Sequence, residues 1–528
     1  MSEAGDAAAA RLAQALRAHL AQQTGAPVDA VETHISRLLL ARDAAYKLKK
    51  PVRLPFADFS TLDARRRFCE EELRLNRRLA PGLYLDVRPV LGTPEAPRIG
   101  RPGEAPGEAI DWVLRMQRFA TGQEADALLR RDALTAQELD VFASRLARFH
   151  AGAPVAAAAQ GFGTPQRVGA AMADVIEQLA PLLAGDADAA RRLARLRTAF
   201  GHARPALEQA WAARPAGGHV REGHGDLHLA NLVRLADGLT AFDCIEFDPG
   251  LRWIDTMADL GFLTMDLKAH GRAGLAWRFL DRYLEAAGDH GGLPVLRAYE
   301  AYRAGVRELA ARLRKAGGAP LPPARPAYLA CAEALAAPDG CRPRLLVTHG
   351  LSGSGKSTVA AALLEAAGAV RLRSDVERKR LAGLAPLQRS ADAGLDIYTA
   401  EATARTFDRL HALADVALRA GYAVIVDAAF LRRAERERFR ALARERHAPF
   451  AILHCHADER ALRERVARRQ ALGADPSEAG LQVLARQGGW AEPPGADELP
   501  VTIDVPTDVP WDAAALARRW AALDLPQA

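Results

Sequence analysis

Cysteine is scarce: the 528 residues hold five, Cys69, Cys244, Cys331, Cys341 and Cys455. They are scattered, odd in number and form no C-x-x-C pair. That excludes a disulfide framework and a cysteine-built zinc site, and points to reduced thiols in a cytoplasmic protein. Aromatic residues make up only 6%, and no basic stripe is interleaved with them, so a nucleic-acid partner is permitted but weakly supported. No apolar run approaches the roughly 20 residues of a membrane helix, so no membrane partner is expected. The start, Met1 to Ala15, carries acidic residues and lacks the charged-then-apolar layout of a secretory signal. What is present is ordinary for folded soluble protein: 49% hydrophobic and 26% charged residues. The length calls for more than one domain. A net charge of +6 is mild over such a chain and suits phosphate ligands.

The firmest pattern is Gly350-Leu351-Ser352-Gly353-Ser354-Gly355-Lys356-Ser357, followed by Thr358. It completes G-x-x-x-x-G-K-[ST], with apolar Leu345-Leu346-Val347 before it and a helical run, Val359 to Ala366, after it. Strand, glycine loop and helix together form the P-loop context. Glycines let backbone N–H groups turn inward around phosphate oxygens, and the helix points its positive end at the same anion. Lys356 then reaches the β- and γ-phosphates of ATP, and the Ser357 hydroxyl ligates Mg²⁺.

Further along, a short strand ends in Ser374-Asp375 and opens a helix bearing Arg378. Ligands of open α/β sheets gather at the carboxyl ends of strands, so Asp375 and Arg378 stand where an acceptor hydroxyl would meet the γ-phosphate. Ser374-Asp375 also reads as a helix N-cap, and the two roles can coexist. The buried run Ala423 to Val426 ends in Asp427, the Walker-B layout, with Asp427 near the Mg²⁺ shell. Arg465 and Arg469 share one face of a basic helix. That helix reads either as a lid bringing charge to the phosphoryl group or as a solvated face.

In the first half, residues 33–50 read as two strands with a turn near Arg42-Asp43. Alternation puts Ala45, Lys47 and Lys49 on one face. A helix over 62–80 carries Phe68, Leu75 and Leu79 on its apolar stripe, with Glu72 among them. A carboxylate facing inward needs a partner, and a strand lysine is the natural one; the alternative sets Glu72 at the stripe's edge, in water. Helices are expected over 123–160 and 166–214. The segment His219 to Asp248 places Asp226 and Asn231 five apart on a loop. The Asp237-Gly238 hairpin turn then brings Asp243 back beside it. One carboxylate to accept the proton of an attacking hydroxyl, plus a second carboxylate and an amide to hold Mg²⁺, is what phosphoryl transfer requires. Asp255 and Asp259 lie four apart, on one helical face; the face reads as solvated, with support of the site or a cationic substrate as the alternatives.

His224-Gly225-Asp226-x-His228-x-x-Asn231 followed by Phe242-Asp243 resembles the aminoglycoside phosphotransferase and choline kinase-like superfamily. The resemblance implies a protein-kinase-like α+β fold, a small strand-rich lobe plus a helical lobe. It makes Asp226 the catalytic base, Asn231 and Asp243 the Mg²⁺ ligands, Lys47 the phosphate-binding lysine with Lys49 as the fallback, and Glu72 its helix partner. The sequence departs from protein kinases in lacking a glycine-rich loop between residues 31 and 46, and in Cys-Ile-Glu after Asp243. The second half resembles small P-loop kinases such as gluconate kinase and the zeta-toxin-like kinases, an α/β domain with a parallel sheet. The order of the halves resembles a bacterial family joining the two, with domains at 1–338 and 342–528. The expected activity is ATP- and Mg²⁺-dependent phosphorylation of hydroxyl acceptors at two nucleotide sites. Three rivals stand beside it: a kinase-shaped binding module in the first half, a nucleic-acid 5′-hydroxyl kinase in the second, and an ATP-driven switch.

Overall fold

The computed structural model describes residues 3–54, 57–101, 104, 107–318, 325–336, 343–473 and 475–523. The expected domain boundary between 338 and 342 lies outside them. Its compact units interleave along the chain. One comprises Met1–Arg145, Phe149–Thr164 and Arg214–Leu263; the other comprises Leu146–Arg148, Pro165–Ala213 and Thr264–Ala528.

The first unit is built on a six-stranded antiparallel sheet. Its strands run in the order Asp29–Glu32, Ser36–Leu40, Ala44–Lys49, Asp111–Gln117, Tyr84–Gly92, Pro97–Ile99. Alternating side chains divide between two cores. Leu39, Leu48, Val90 and Val113 meet Leu12, Leu16 and Leu20 of the helix Glu3–Thr24. On the opposite face Ala45, Trp112, Leu114 and Met116 pack with Cys69 of the helix Leu62–Asn76. The Thr61 hydroxyl starts that helix by accepting from the Ala64 N–H at 3.1 Å. It stops at Asn76, short of the expected residue 80, and a turn over 77–79 leads to Ala80, where Pro81 disfavours helical backbone. The expected helix 123–160 is divided as well: Ala125–Arg130 ends, and a Thr135/Glu138 capping box opens Ala136–Gly152. The next helices along the chain, Pro165–Leu183 and Ala187–Ala216, belong through Ala213 to the other unit. Strands Leu232–Leu235 and Gly238–Ala241 form the hairpin that Asp237-Gly238 announced.

The second unit contains a five-stranded parallel sheet. Its order is Ala369–Arg373, Ala423–Asp427, Arg344–His349, Phe450–His456, Thr502–Pro506. Leu346, Ile425, Ala451, Leu453, Ile503 and Val505 form a dry layer under the helix Lys356–Ala367 and Trp520. Both faces are covered, which is why the strands read as continuous apolar runs. The edge strand Ala369–Arg373 is the exception, burying two arginines. Arg371 donates to Asp281 at 2.7 Å and Glu285 at 3.0 Å, both on the helix Ala273–Ala287, and to the Ser357 carbonyl at 3.3 Å. Among the described residues no helix is long and apolar enough to cross a membrane.

Candidate active site

The strand Arg344–His349 delivers the chain into the glycine loop. Gly350 sits at φ +142°, and a Cβ there would lie 2.2 Å from the Cys455 carbonyl oxygen; Gly353, at φ +84°, would meet the Leu462 carbonyl oxygen at 2.7 Å. Only glycine lets the loop turn this tightly against the neighbouring strand and helix. The Ser352 N–H donates to Gln487 Oε1 at 2.9 Å, and Lys356 Nζ donates to the Leu351 carbonyl at 2.8 Å. Burial pushes the Lys356 ammonium below its ordinary range, against the pull of Asp427. Beside it the Ser357 hydroxyl donates to Asp427 Oδ1 at 3.1 Å. The other oxygen of Asp427 is buried without a hydrogen bond. The guanidinium nitrogens of Arg373 and Arg371 stand 3.6 and 3.7 Å from it.

These groups open on a cleft of about 890 Å³, also lined by Ser352, Gly353, Gly355, Thr358, Asp375, Arg378, Arg465 and Arg469. Asp375 lies in the first turn of the helix Ser374–Leu381, where no side chain makes a capping hydrogen bond. The plain N-cap reading of Ser374 therefore does not hold. Arg378 is engaged in the fold, donating to the Ile397 carbonyl at 2.9 Å and Thr403 Oγ1 at 3.1 Å. Arg465 donates to Thr507 Oγ1 at 2.8 Å, and Arg469 to the Ala479 carbonyl at 2.5 Å. On the same helix, Glu459–Leu472, Arg463 pairs outward with Glu459. A glycine cradle, a buried ammonium and a serine hydroxyl beside an unsatisfied carboxylate oxygen fit a nucleotide phosphate with Mg²⁺, a cation that prefers oxygen ligands.

The first unit assembles a second constellation. Lys47 Nζ donates to Glu72 Oε1 and Asp243 Oδ1, both at 2.7 Å. Lys49 Nζ donates to Glu72 Oε2 at 2.7 Å and to Glu246 Oε1 at 2.5 Å. Glu72 therefore faces inward between two lysines rather than reaching water, and is fully buried. Burial pushes its carboxyl up, but Lys47 and Lys49 together hold it down at about 2. Asp243 stands at φ +63°, a left-handed conformation that aspartate tolerates better than most residues. Its N–H donates to the Tyr84 hydroxyl at 3.0 Å. The half-exposed Asp243 carboxylate shares Lys47 with Glu72, whereas Lys49 is sealed in behind them. Asn231 Nδ2 donates to Asp226 Oδ2 at 2.9 Å, and the Phe242 N–H to the Asn231 carbonyl at 3.0 Å, so the hairpin carries Asp243 back to the loop. These oxygens and the amide likewise suit Mg²⁺.

The solvated-helix reading of Asp255 and Asp259 is overturned. Asp255 ends the strand Trp253–Asp255 and pairs with Arg214 at 2.7 Å. Asp259, fully buried, accepts from the His224 and Gly225 N–H groups at 2.6 and 2.8 Å, with His150 Nε2 at 3.3 Å. It clamps the backbone that carries Asp226. Helical spacing alone missed it; the signal in the sequence was the apolar company of the Asp259 helix. Burial raises the Asp259 carboxyl, but hydrogen bonding and charge from His150, with help from His224, bring it to about 2. Depressed carboxyls stabilise the fold above their unfolded values and lose that contribution as pH falls through the folded ones. The ordinary values are 3.8 for aspartate and 4.5 for glutamate, so Glu72 and Asp259 together make the first unit lose stability from about pH 4.5 down to about 2. Urea midpoints measured against pH should fall across that window, and Asp259→Asn should make the fall shallower.

A family model described as an AAA domain matches residues 345–494. The uncharacterized proteins Rv2004c of Mycobacterium tuberculosis and Mb2027c of Mycobacterium bovis are each 30% identical over 473 residues, covering 88% of this chain and 91% of their own. Among solved structures, a choline/ethanolamine kinase family protein from Mesorhizobium loti is 15% identical with a TM-score of 0.35, covering 62% of this chain and 93% of its own. A gluconokinase from Sinorhizobium meliloti is 23% identical with a TM-score of 0.25, covering 34% of this chain and 90% of its own.

Proposed function

This chain belongs to the family of the mycobacterial proteins Rv2004c and Mb2027c, and from that premise we propose that it is an ATP-dependent phosphotransferase with two nucleotide sites, one in residues 1–338 and one in 342–528, acting on hydroxyl acceptors, small molecules foremost. The observation that carries the reading is the meeting of the Ser357 hydroxyl with Asp427 at the foot of a complete P-loop, in a cleft that also holds Asp375.

Bound ATP with Mg²⁺ supplies the phosphoryl group and the cation that offsets its charge. In the second half the N–H groups of Gly353, Gly355, Lys356 and Ser357 bind phosphate oxygens, and Lys356 places its ammonium on the group to be moved. Ser357 and Asp427 hold the metal, with Asn231 and Asp243 doing so in the first half. Asp375 accepts the acceptor's hydroxyl proton and Arg378 borders the same space. Arg465 and Arg469 add positive charge from above. In the first half Asp226, oriented by Asn231, accepts the corresponding proton, and Lys47, fixed by Glu72, binds phosphate.

Mg·ATP turnover by the whole chain, by Lys356→Ala and by Asp226→Ala is the test, against sugars, amino-alcohols, aminoglycosides and 5′-hydroxyl oligonucleotides. Asp226→Ala should lower one acceptor-dependent activity by about 10²–10⁴-fold, the usual contribution of a positioned base, and leave the Lys356-dependent one standing. An Asp226→Ala protein with every activity intact would make the first half a binding module. Turnover that no acceptor stimulates would leave an ATPase.

A further inference from the structure

Four residues outside the cleft converge from three neighbouring parallel strands. Strand register sets His349 beside His454, and His454 beside Asp504. His456, two residues beyond His454, shares its face of the sheet. His454, His456 and Asp504 present ligand atoms that all lie within 4.8 Å of one another.

The Glu492 carbonyl accepts from His349 Nε2 at 3.2 Å. His349 Nδ1 and His454 Nδ1 stand 2.7 Å apart and share a hydrogen bond. That contact occupies His454 Nδ1 and leaves its Nε2 facing Asp504. His454 Nε2 stands 3.9 Å from Asp504 Oδ1, beyond hydrogen-bond range, while His456 Nε2 lies 3.2 Å from Asp504 Oδ2. A cation between these atoms would engage both imidazoles and the carboxylate at once. The chain from His454 through His349 to a backbone carbonyl is also how metal-binding histidines are oriented.

We propose that His454 Nε2, His456 Nε2 and the Asp504 carboxylate bind a divalent ion of the zinc class. Ligands about 2.0–2.2 Å from a tetrahedral zinc stand roughly 3.3–3.5 Å apart. The observed 3.2 and 3.9 Å to Asp504 bracket that spacing, and with all three ligand atoms within 4.8 Å of one another side-chain rotation can close the site. Two imidazoles and one carboxylate favour zinc, cobalt or nickel over magnesium. A cavity of about 220 Å³, lined by His349, His454, His456 and Gly350, adjoins the site and has room for ligands at the open positions.

The test is a Co²⁺ titration of the nucleotide-free full chain in excess Mg²⁺, read by visible absorption and followed by displacement with Zn²⁺. One equivalent should bind without thiolate-to-metal bands, and Zn²⁺ should displace it. His456→Ala and Asp504→Ala should each weaken it at least about tenfold. Both side chains are substantially exposed, so neither substitution threatens folding. Asp427→Asn should leave it unchanged. Absence of binding, unchanged affinity in both variants, or loss of the ion on Asp427→Asn would each overturn the proposal.

Discussion

Lys356→Ala should reduce the P-loop-dependent activity by about 10²–10³-fold in kcat, the scale seen when one preorganised donor to developing charge is removed. The ammonium is held at the bend of the loop by the Leu351 carbonyl, and burial already disfavours its charge. An approaching phosphate therefore meets a partly desolvated cation that gains more from pairing than a solvated lysine would. Lys356→Arg should not restore activity, since a planar fork cannot occupy the place of a compact ammonium against that carbonyl. Single-turnover and steady-state assays on the full chain check this, with nucleotide affinity measured separately so that the kcat effect is distinguished from binding. Activity within about threefold of the parent would remove the P-loop from the chemistry.

Glu72→Ala should destabilise the first unit by about 3 kcal/mol, the lower end of the range for breaking a buried ion pair. The lower end is expected because each lysine keeps one carboxylate, Asp243 for Lys47 and Glu246 for Lys49. Glu72→Gln should cost less, since an amide oxygen still accepts from one lysine. Hydrogen exchange along the strand Ala44–Lys49 reports the loss without requiring the chain to unfold in one step. Unchanged protection in Glu72→Ala would show that Asp243 and Glu246 suffice. The same variant frees Lys47 to swing toward Asp243 alone, so first-site activity should fall with the stability.

What could be read in the sequence was local. The P-loop announced itself because all its parts lie within one strand, turn and helix. The inward glutamate at 72 could be read because a charged residue interrupted an apolar stripe. Features built by register between distant strands left no local trace. His349, His454 and Asp504 are neighbours only because Arg344–His349, Phe450–His456 and Thr502–Pro506 lie side by side. The burial of Arg371 and Arg373 likewise left no local trace, since carboxylates that pair with them arrive from the helix Ala273–Ala287. Asp259 was misjudged because spacing reports which residues share a face, not whether that face meets water.

The buried pairing of Arg371 with Asp281 has a bearing on where the chain can be cut. A polypeptide starting at residue 343 would keep the glycine loop, Asp427 and the whole parallel sheet, and Arg373 would keep Asp475, yet the buried Arg371 would lose Asp281 and Glu285, its partners at 2.7 and 3.0 Å. Arg371 also holds the carbonyl of Ser357, so the injury would reach the phosphate cradle itself. Cutting the chain near residue 343 should therefore weaken nucleotide binding at the glycine loop even though every residue of the loop would remain.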